Sequence, residues 1–163
     1  RYKKAYLEDF SGWYSSADAG YIDEEGYIWV MSRTDDIINC AGHRLSTGAM
    51  EEVLSKHENI AECAVVGIYD ELKGQVPMGF IVINTGTSKP HNIIIDETIN
   101  MVRTEIGPVA SFRKVVIVNR LPKTRSGKIL RSTIASIVDK KTYKIPATID
   151  DETILDEITE AIK

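Results

Sequence analysis

Cys63-Ala64-Val65-Val66-Gly67-Ile68-Tyr69 and Val76-Pro77-Met78-Gly79-Phe80-Ile81-Val82-Ile83 are two apolar, β-branched runs of strand length, separated by the polar stretch Asp70 to Gln75. Runs of this length and composition, bounded by polar residues, read as buried strands. A helix follows from Asn92, in which Ile95, Ile99, Val102 and Ile106 recur at spacings of four, three and four before Gly107-Pro108 ends it. Lys114 to Val118 supplies a third strand. Upstream, Ser46 or Thr47 caps a helix with Met50, Val53, Leu54 and His57 on one face. Downstream, Leu130, Ile134 and Ile137 mark one helix, and Ile154, Leu155, Ile158 and Ile162 mark a last one.

The N-terminal part has a different texture. Residues 1 to 17 are aromatic and polar without a clear period, and read as coil with a short extended piece around Trp13 and Tyr14. Ala19 to Ile22 and Tyr27 to Ser32 flank the turn Asp23-Glu24-Glu25-Gly26 as a β-hairpin, with Gly26 at a positive-φ position. Ile37 to Cys40 and His43 to Leu45 form a second extended pair around Ala41-Gly42. The expected fold is α+β: an N-terminal β-hairpin segment, then a small, roughly three-stranded sheet covered by helices.

The chain has 163 residues, enough for one domain that buries roughly 70% of its unfolded surface. With 20 basic against 24 acidic residues, its net charge is -4 and its pI about 5.4. That balance argues against general nucleic-acid or anionic-membrane binding, which needs many basic contacts. No apolar run approaches the ~20 residues of a membrane helix, and Arg1 to Lys4 lead into no signal-peptide core. The two cysteines, Cys40 and Cys63, lack CxxC or zinc-ligand spacing, and read as reduced core thiols of a cytoplasmic or mitochondrial-matrix protein. No initiator Met is present, and a fragment of a longer chain is expected.

Leu121-Pro122-Lys123-Thr124-Arg125-Ser126-Gly127-Lys128 is the stretch with chemical content. Pro122 and Gly127 punctuate it, and Thr124 and Ser126 can hydrogen-bond their own main chain, so Lys128 is expected on a mobile, exposed loop. An ammonium there suits phosphate or carboxylate oxygens that crowd together during a reaction. The same residues also fit a solvated surface turn.

Leu121 to Arg131 closely resembles the C-terminal signature of the acyl-adenylate-forming enzymes, above all the short-chain acyl-CoA synthetases. Four further stretches match that family in order. Trp13 to Gly20 resembles the end of its large N-terminal domain, Met31 to Ile38 the junction with its small C-terminal domain, Asn39 to Met50 the start of that domain, and Val102 to Pro108 the helix end before the last strand. The resemblance covers essentially the whole chain. It implies a division into residues 1–34, the tail of the N-terminal AMP-binding domain, and residues 35–163, a mobile lid.

The resemblance also implies roles. Lys128 matches the lysine essential for adenylation. Asp18 matches the aspartate that accepts hydrogen bonds from the ATP ribose, although Ser16-Ala17-Asp18 stands where the family usually has Thr-Gly-Asp, and the Ala17 Cβ would crowd the backbone if φ must be positive there. Arg33 matches an arginine reaching nucleotide ribose and phosphate, Arg44 one approaching the AMP phosphate, and Asp35 the hinge residue. Gly42, in Ala41-Gly42-His43-Arg44, matches the segment lining the pantetheine channel, and Arg103 an arginine that meets the coenzyme A nucleotide. His43 has no partner at ligand spacing, so no metal site is expected and a strand position with a satisfied imidazole is the preferred reading. Arg103, in a last helical turn, would equally complement the helix dipole.

The implied activity is that of an ATP-dependent ligase using magnesium and coenzyme A, which makes an acyl-AMP and then an acyl-CoA, with the fragment alone inactive and binding no cofactor. Its implied partners are its own N-terminal domain and a short carboxylate. Ser46 to Glu52, Leu72 to Pro77 and Tyr143 to Asp150 look more like propionyl-CoA than acetyl-CoA synthetases. Two other readings stay open: the lid of an adenylating enzyme that loads a carrier protein, and a non-enzymatic basic-loop binding module.

Overall fold

The computed structural model describes residues 2–163, the side chains of residues 5, 31 and 35 excepted. Helix α1 spans Tyr2–Tyr6, where coil was expected. Its first and last rings stand 5.3 Å apart at the i, i+4 spacing that brings helical neighbours together, and Tyr6 stacks on Tyr14 at 5.1 Å. Trp13 and Tyr14 belong to no strand.

Strands β1 (Asp18–Ile22) and β2 (Ile28–Arg33) form the expected antiparallel hairpin, with Gly26 at φ +89°. This two-stranded sheet stands apart from the main one. Tyr21, Ile22, Tyr27, Ile28, Trp29 and Val30 are all exposed on it.

A 3-10 turn, Thr34–Asp36, leads into β3 (Ile37–Cys40) and β4 (His43–Ser46). Helix α2 (Thr47–Ser55) is capped by Ser46, whose hydroxyl accepts the Ala49 N–H at 3.3 Å. Met50, Val53, Leu54 and His57 are buried as its spacing required. His57 is satisfied on both nitrogens: Nδ1 accepts the Asn59 N–H, which leaves the proton on Nε2 facing Glu97 at 2.9 Å.

The two apolar runs become β5 (Ile60–Asp70) and β6 (Gly74–Ile83), longer than expected because ladder pairing extends through the polar ends down to Asp70–Gly74. Both are buried on successive residues, so both faces of the sheet are covered. Helix α3 (His91–Glu105) follows, and its buried stripe is Ile94, Thr98 and Val102. The expected Ile95, Ile99 and Ile106 flank that stripe half-buried, since a strict i, i+4 row centres one residue earlier.

Strand β7 (Lys114–Ile117) pairs in parallel with Met78 to Ile81 of β6. The three expected strands are thus β5, β6 and β7. Hairpin β3–β4 joins them through one bridge, Cys40 to Gly74, and makes a five-stranded sheet. Pro77 falls on β6 between that bridge and the Met78–Lys114 pair, where the edge asks for no N–H. Helices α4 (Arg131–Val138) and α5 (Thr153–Ala161) complete the cover, burying Ile134, Ile137, Ile154, Leu155 and Ile158. No helix among the described residues is long and apolar enough to cross a membrane.

Candidate functional site

Two of the candidate nucleotide residues meet at the base of the first hairpin. Asp18 and Arg33 face each other in the β1–β2 register, at its open end. The Ala17 carbonyl accepts both the Thr34 N–H at 2.8 Å and the Thr34 hydroxyl at 3.1 Å, tying the hairpin base to the 3-10 turn. Ala17 is held at φ +60°, the positive-φ geometry at which its Cβ is strained. Asp18 is exposed, an acceptor-only group at the strand's first residue. Arg44, exposed on β4, lines a cleft shared with Ala19, Tyr21 and Ser32 of the hairpin. Asp18 and Arg33 are thus paired across the hairpin, while Arg44 on β4 lines the neighbouring cleft. Asp35 lies in the 3-10 turn between the two hairpins, and its side chain is outside the described residues.

The coenzyme A candidates lie on a second locus. Ala41 at φ +49° and Gly42 at φ +85° form the two-residue β3–β4 turn, with both central residues in the left-handed region. A Cβ on Gly42 would meet nothing within 4 Å, so the turn opens on free space. The Ala41 N–H donates to the Lys73 carbonyl at 2.8 Å, and the Lys73 ammonium reaches the Ser111 hydroxyl at 2.5 Å. Ser111 lines a cleft with Arg103 and Arg113. Gly42 and Arg103, 61 residues apart in the chain, are thereby linked. His43 lies on β4 as expected, but it is exposed and its imidazole has no hydrogen-bond partner among the described residues, contrary to the satisfied imidazole that was expected.

Lys128 occupies a third locus, and its loop is more regular than irregular backbone would be. A Lys123–Ile129 bridge closes a hairpin. Within it the Thr124 N–H donates to the Lys128 carbonyl at 2.8 Å, and the Lys128 N–H to Thr124 Oγ1 at 3.1 Å. Gly127 at φ +83° makes the tip; Thr124 bonds the main chain of the turn as expected, whereas the Ser126 hydroxyl meets the Thr124 hydroxyl at 3.0 Å instead.

The basic residues around it divide sharply. The Lys123 ammonium is 2.6 Å from Glu62. Arg131 binds Glu51 through Nε at 2.8 Å and Nη2 at 2.7 Å. The Glu51 hydrogen bonds raise the half-buried guanidinium's pKa above its ordinary value. Arg125 and Lys128 are exposed, and carry no ion pair among the described residues. Lys128 is thus a cation held in place through its backbone with its charge uncommitted.

The second and third loci sit at opposite ends of one ladder. Lys123 anchors the Lys128 hairpin to Glu62, which pairs with Val82 near the far end of β6. Lys73, which holds the Ala41–Gly42 turn, lies in the loop joining Asp70 to Gly74. From Glu62 to Asp70 the strand advances about 26 Å at roughly 3.3 Å per residue.

Sequence reasoning missed Lys73, Arg113 and the triangle of Arg131 with Glu51 and Asp36, whose carboxylate is 3.8 Å from Arg131 Nη1. No local pattern marks Lys73; a cation three residues after Asp70 reads as surface. Of the cysteines, Cys40 is buried as expected, whereas Cys63 is only half-buried. Burial still pushes the Cys63 thiol up to about 11, and its Sγ donates to the Glu51 carbonyl at 3.4 Å. It is a protonated, unreactive thiol at neutral pH.

Residues 49–128 match the AMP-binding enzyme C-terminal domain family. Over 157 residues the chain is 52% identical to acyl-CoA synthetase short-chain family member B, mitochondrial, of Dictyostelium discoideum, covering 96% of this chain and 23% of that protein. It is 50% identical over 162 residues to human acyl-CoA synthetase short-chain family member 3, mitochondrial, covering 99% and 24%. ATP-bound MatB from Rhodopseudomonas palustris shares the fold, with a TM-score of 0.70 at 20% identity over 83% of this chain and 26% of that one. The chain spans about a quarter of the length of each of these proteins.

Proposed function

We propose that the chain is the moving C-terminal lid of an ATP-dependent short-chain acyl-CoA synthetase that joins propionate to coenzyme A, a reading supported by the match of residues 49–128 to the AMP-binding enzyme C-terminal domain and by the identity of about 50% to short-chain acyl-CoA synthetases. The observation that carries the lid reading is the placement of the Lys128 hairpin and the Ala41–Gly42 turn at opposite ends of the β5–β6 ladder. One rigid body built this way presents either end, and not both, to a single nucleotide site.

We assign residues 1–34 to the preceding domain and residues 35–163 to the lid, with the hinge at Asp35. The exposed apolar face of hairpin β1–β2 supports that boundary, because a lone two-stranded sheet with six bare large side chains needs a neighbour. The 3-10 turn is a short connection where a few torsions can reorient one part against the other.

In the first half-reaction a carboxylate attacks the α-phosphate of ATP, so like charges approach while negative charge grows on the phosphoryl oxygens. Lys128 supplies a preorganised cation there, worth about 3 to 4 kcal/mol by analogy with removal of one transition-state donor. Asp18 would accept from the ribose hydroxyls, and Arg33 and Arg44 would hold phosphate oxygens. Among the described residues no group of three or more His, Cys, Asp or Glu comes together as a metal-ligand set. In the second half-reaction a thiol replaces AMP at the acyl carbon, a step with no need for Lys128. The Gly42 turn, open and without a side chain, would line the path of the pantetheine arm, and Arg103 would meet the nucleotide end.

Two relatives bear mitochondrial names, and we carry a matrix location over as part of the same proposal. The full-length protein, given propionate, ATP and magnesium, is expected to release pyrophosphate and to acylate free coenzyme A. Pyrophosphate release without any transfer to free coenzyme A would transfer the lid to a carrier-protein-loading enzyme instead.

A further inference from the structure

Several cations of the described residues are spoken for: Lys56, Lys89, Lys123 and Arg131 each sit within 4 Å of a carboxylate. Arg103 and Arg113 are not. Both are exposed, both line one cleft beside the Gly107–Pro108 loop, and neither has an ion pair among the described residues.

The geometry of Arg113 is fixed by its neighbours. Phe112 is buried with its ring over Gly79, where an added Cβ would lie 2.7 Å from Phe112 Cζ, so strand β6 is bare at that point to admit the ring. Ser111, on the other side, is held in the left-handed region at φ +53°. With its neighbour pinned inward and β7 beginning at Lys114, Arg113 is carried on the surface beside Arg103. The Lys73 ammonium, on Ser111 Oγ, adds a third positive charge, likewise without a described carboxylate partner. In a chain whose acidic residues outnumber its basic ones by 24 to 20, this is a local excess of positive charge. Guanidiniums facing one cleft repel until an anion with several acceptor oxygens comes between them.

We propose that Arg113 is a second phosphate-holding residue for the coenzyme A nucleotide, acting with Arg103, while Lys73 extends the positive strip from that cleft to the Ala41–Gly42 turn. This rests on the acyl-CoA synthetase reading above. Continuity with the turn, through the Ala41–Lys73 and Lys73–Ser111 hydrogen bonds, favours this ligand over a free phosphate.

The test uses the full-length enzyme as wild type, Arg113→Gln, Arg113→Lys and Arg103→Gln. Thioester formation from supplied propionyl-AMP is measured with coenzyme A and with pantetheine, which carries the same thiol but no nucleotide. Arg113→Gln is expected to raise the KM for coenzyme A about tenfold, the size of one charge-assisted contact, and Arg113→Lys to raise it less. The KM for pantetheine should stay within about twofold in both. An unchanged coenzyme A KM in Arg113→Gln, with a raised one in Arg103→Gln, would remove Arg113 from the site and leave the parent reading standing. Equal rises for both thiols would make Arg113 a structural residue and overturn the proposal. Unchanged values in both glutamine variants would end the nucleotide site as a whole.

Discussion

Ala17 holds its backbone at φ +60° while its carbonyl takes two hydrogen bonds from Thr34. A methyl side chain in that region costs about 1 kcal/mol, which the Thr34 tie evidently offsets. Ala17→Gly is therefore expected to stabilise the full-length protein by about 0.5 to 1 kcal/mol, the gain falling short of the full strain because glycine loses more freedom on folding. Thermal unfolding checks it: a higher Tm supports a strained Ala17, and a lower one would mean that the left-handed geometry is not held. Here the sequence was legible in detail, since alanine in the family's glycine position flagged the strain before any coordinates. Lys128 was legible as a candidate, but its uncommitted charge was not. That depends on Glu62 and Glu51 claiming Lys123 and Arg131 from positions far away in the chain.

Among elements, the hairpins were the most readable because their turns are local chemistry. Ala41-Gly42 and Asp23 to Gly26 declare themselves by residue type. Helix α3 was found, but its buried row is Ile94, Thr98 and Val102, because a threonine whose hydroxyl bonds the Ile95 carbonyl at 2.7 Å can occupy a core position that pattern reading gives to isoleucine. Helix α1 escaped notice, since a five-residue helix has too few turns to show a period.

The junction of elements at Arg131 was also illegible. This residue joins α4 to Glu51 of α2, and Glu51 in turn accepts the Val65 N–H of β5 at 2.8 Å. Removing the guanidinium leaves a half-buried carboxylate short of two donors. Arg131→Ala should destabilise the helix-covered sheet by about 2 to 3 kcal/mol, and Arg131→Lys should recover only part of that because one ammonium cannot reproduce a two-pronged contact. Denaturant unfolding of the full-length variants measures both; an unchanged midpoint in Arg131→Ala would show that the pair contributes nothing to holding α4.

For the molecule as a whole, the sheet carries different chemistry at its two ends. The uncommitted cation of Lys128 sits beyond the Glu62 end and the open Gly42 turn beyond the Asp70 end. The alternation of strands and helices foretold a covered sheet, yet nothing in a linear sequence says which loops share an end of it; that follows only from the β5–β6 pairing. On the proposed function, Lys128 serves adenylation alone. Lys128→Ala in the full-length enzyme, assayed separately for pyrophosphate release from propionate with ATP and for thioester formation from supplied propionyl-AMP, tests it most directly. The predicted result is a loss of about 10²- to 10³-fold in the first rate, the scale of one transition-state donor, with the second rate retained. Two retained rates in a folded Lys128→Ala enzyme would contradict the claim and return the hairpin to an ordinary surface turn.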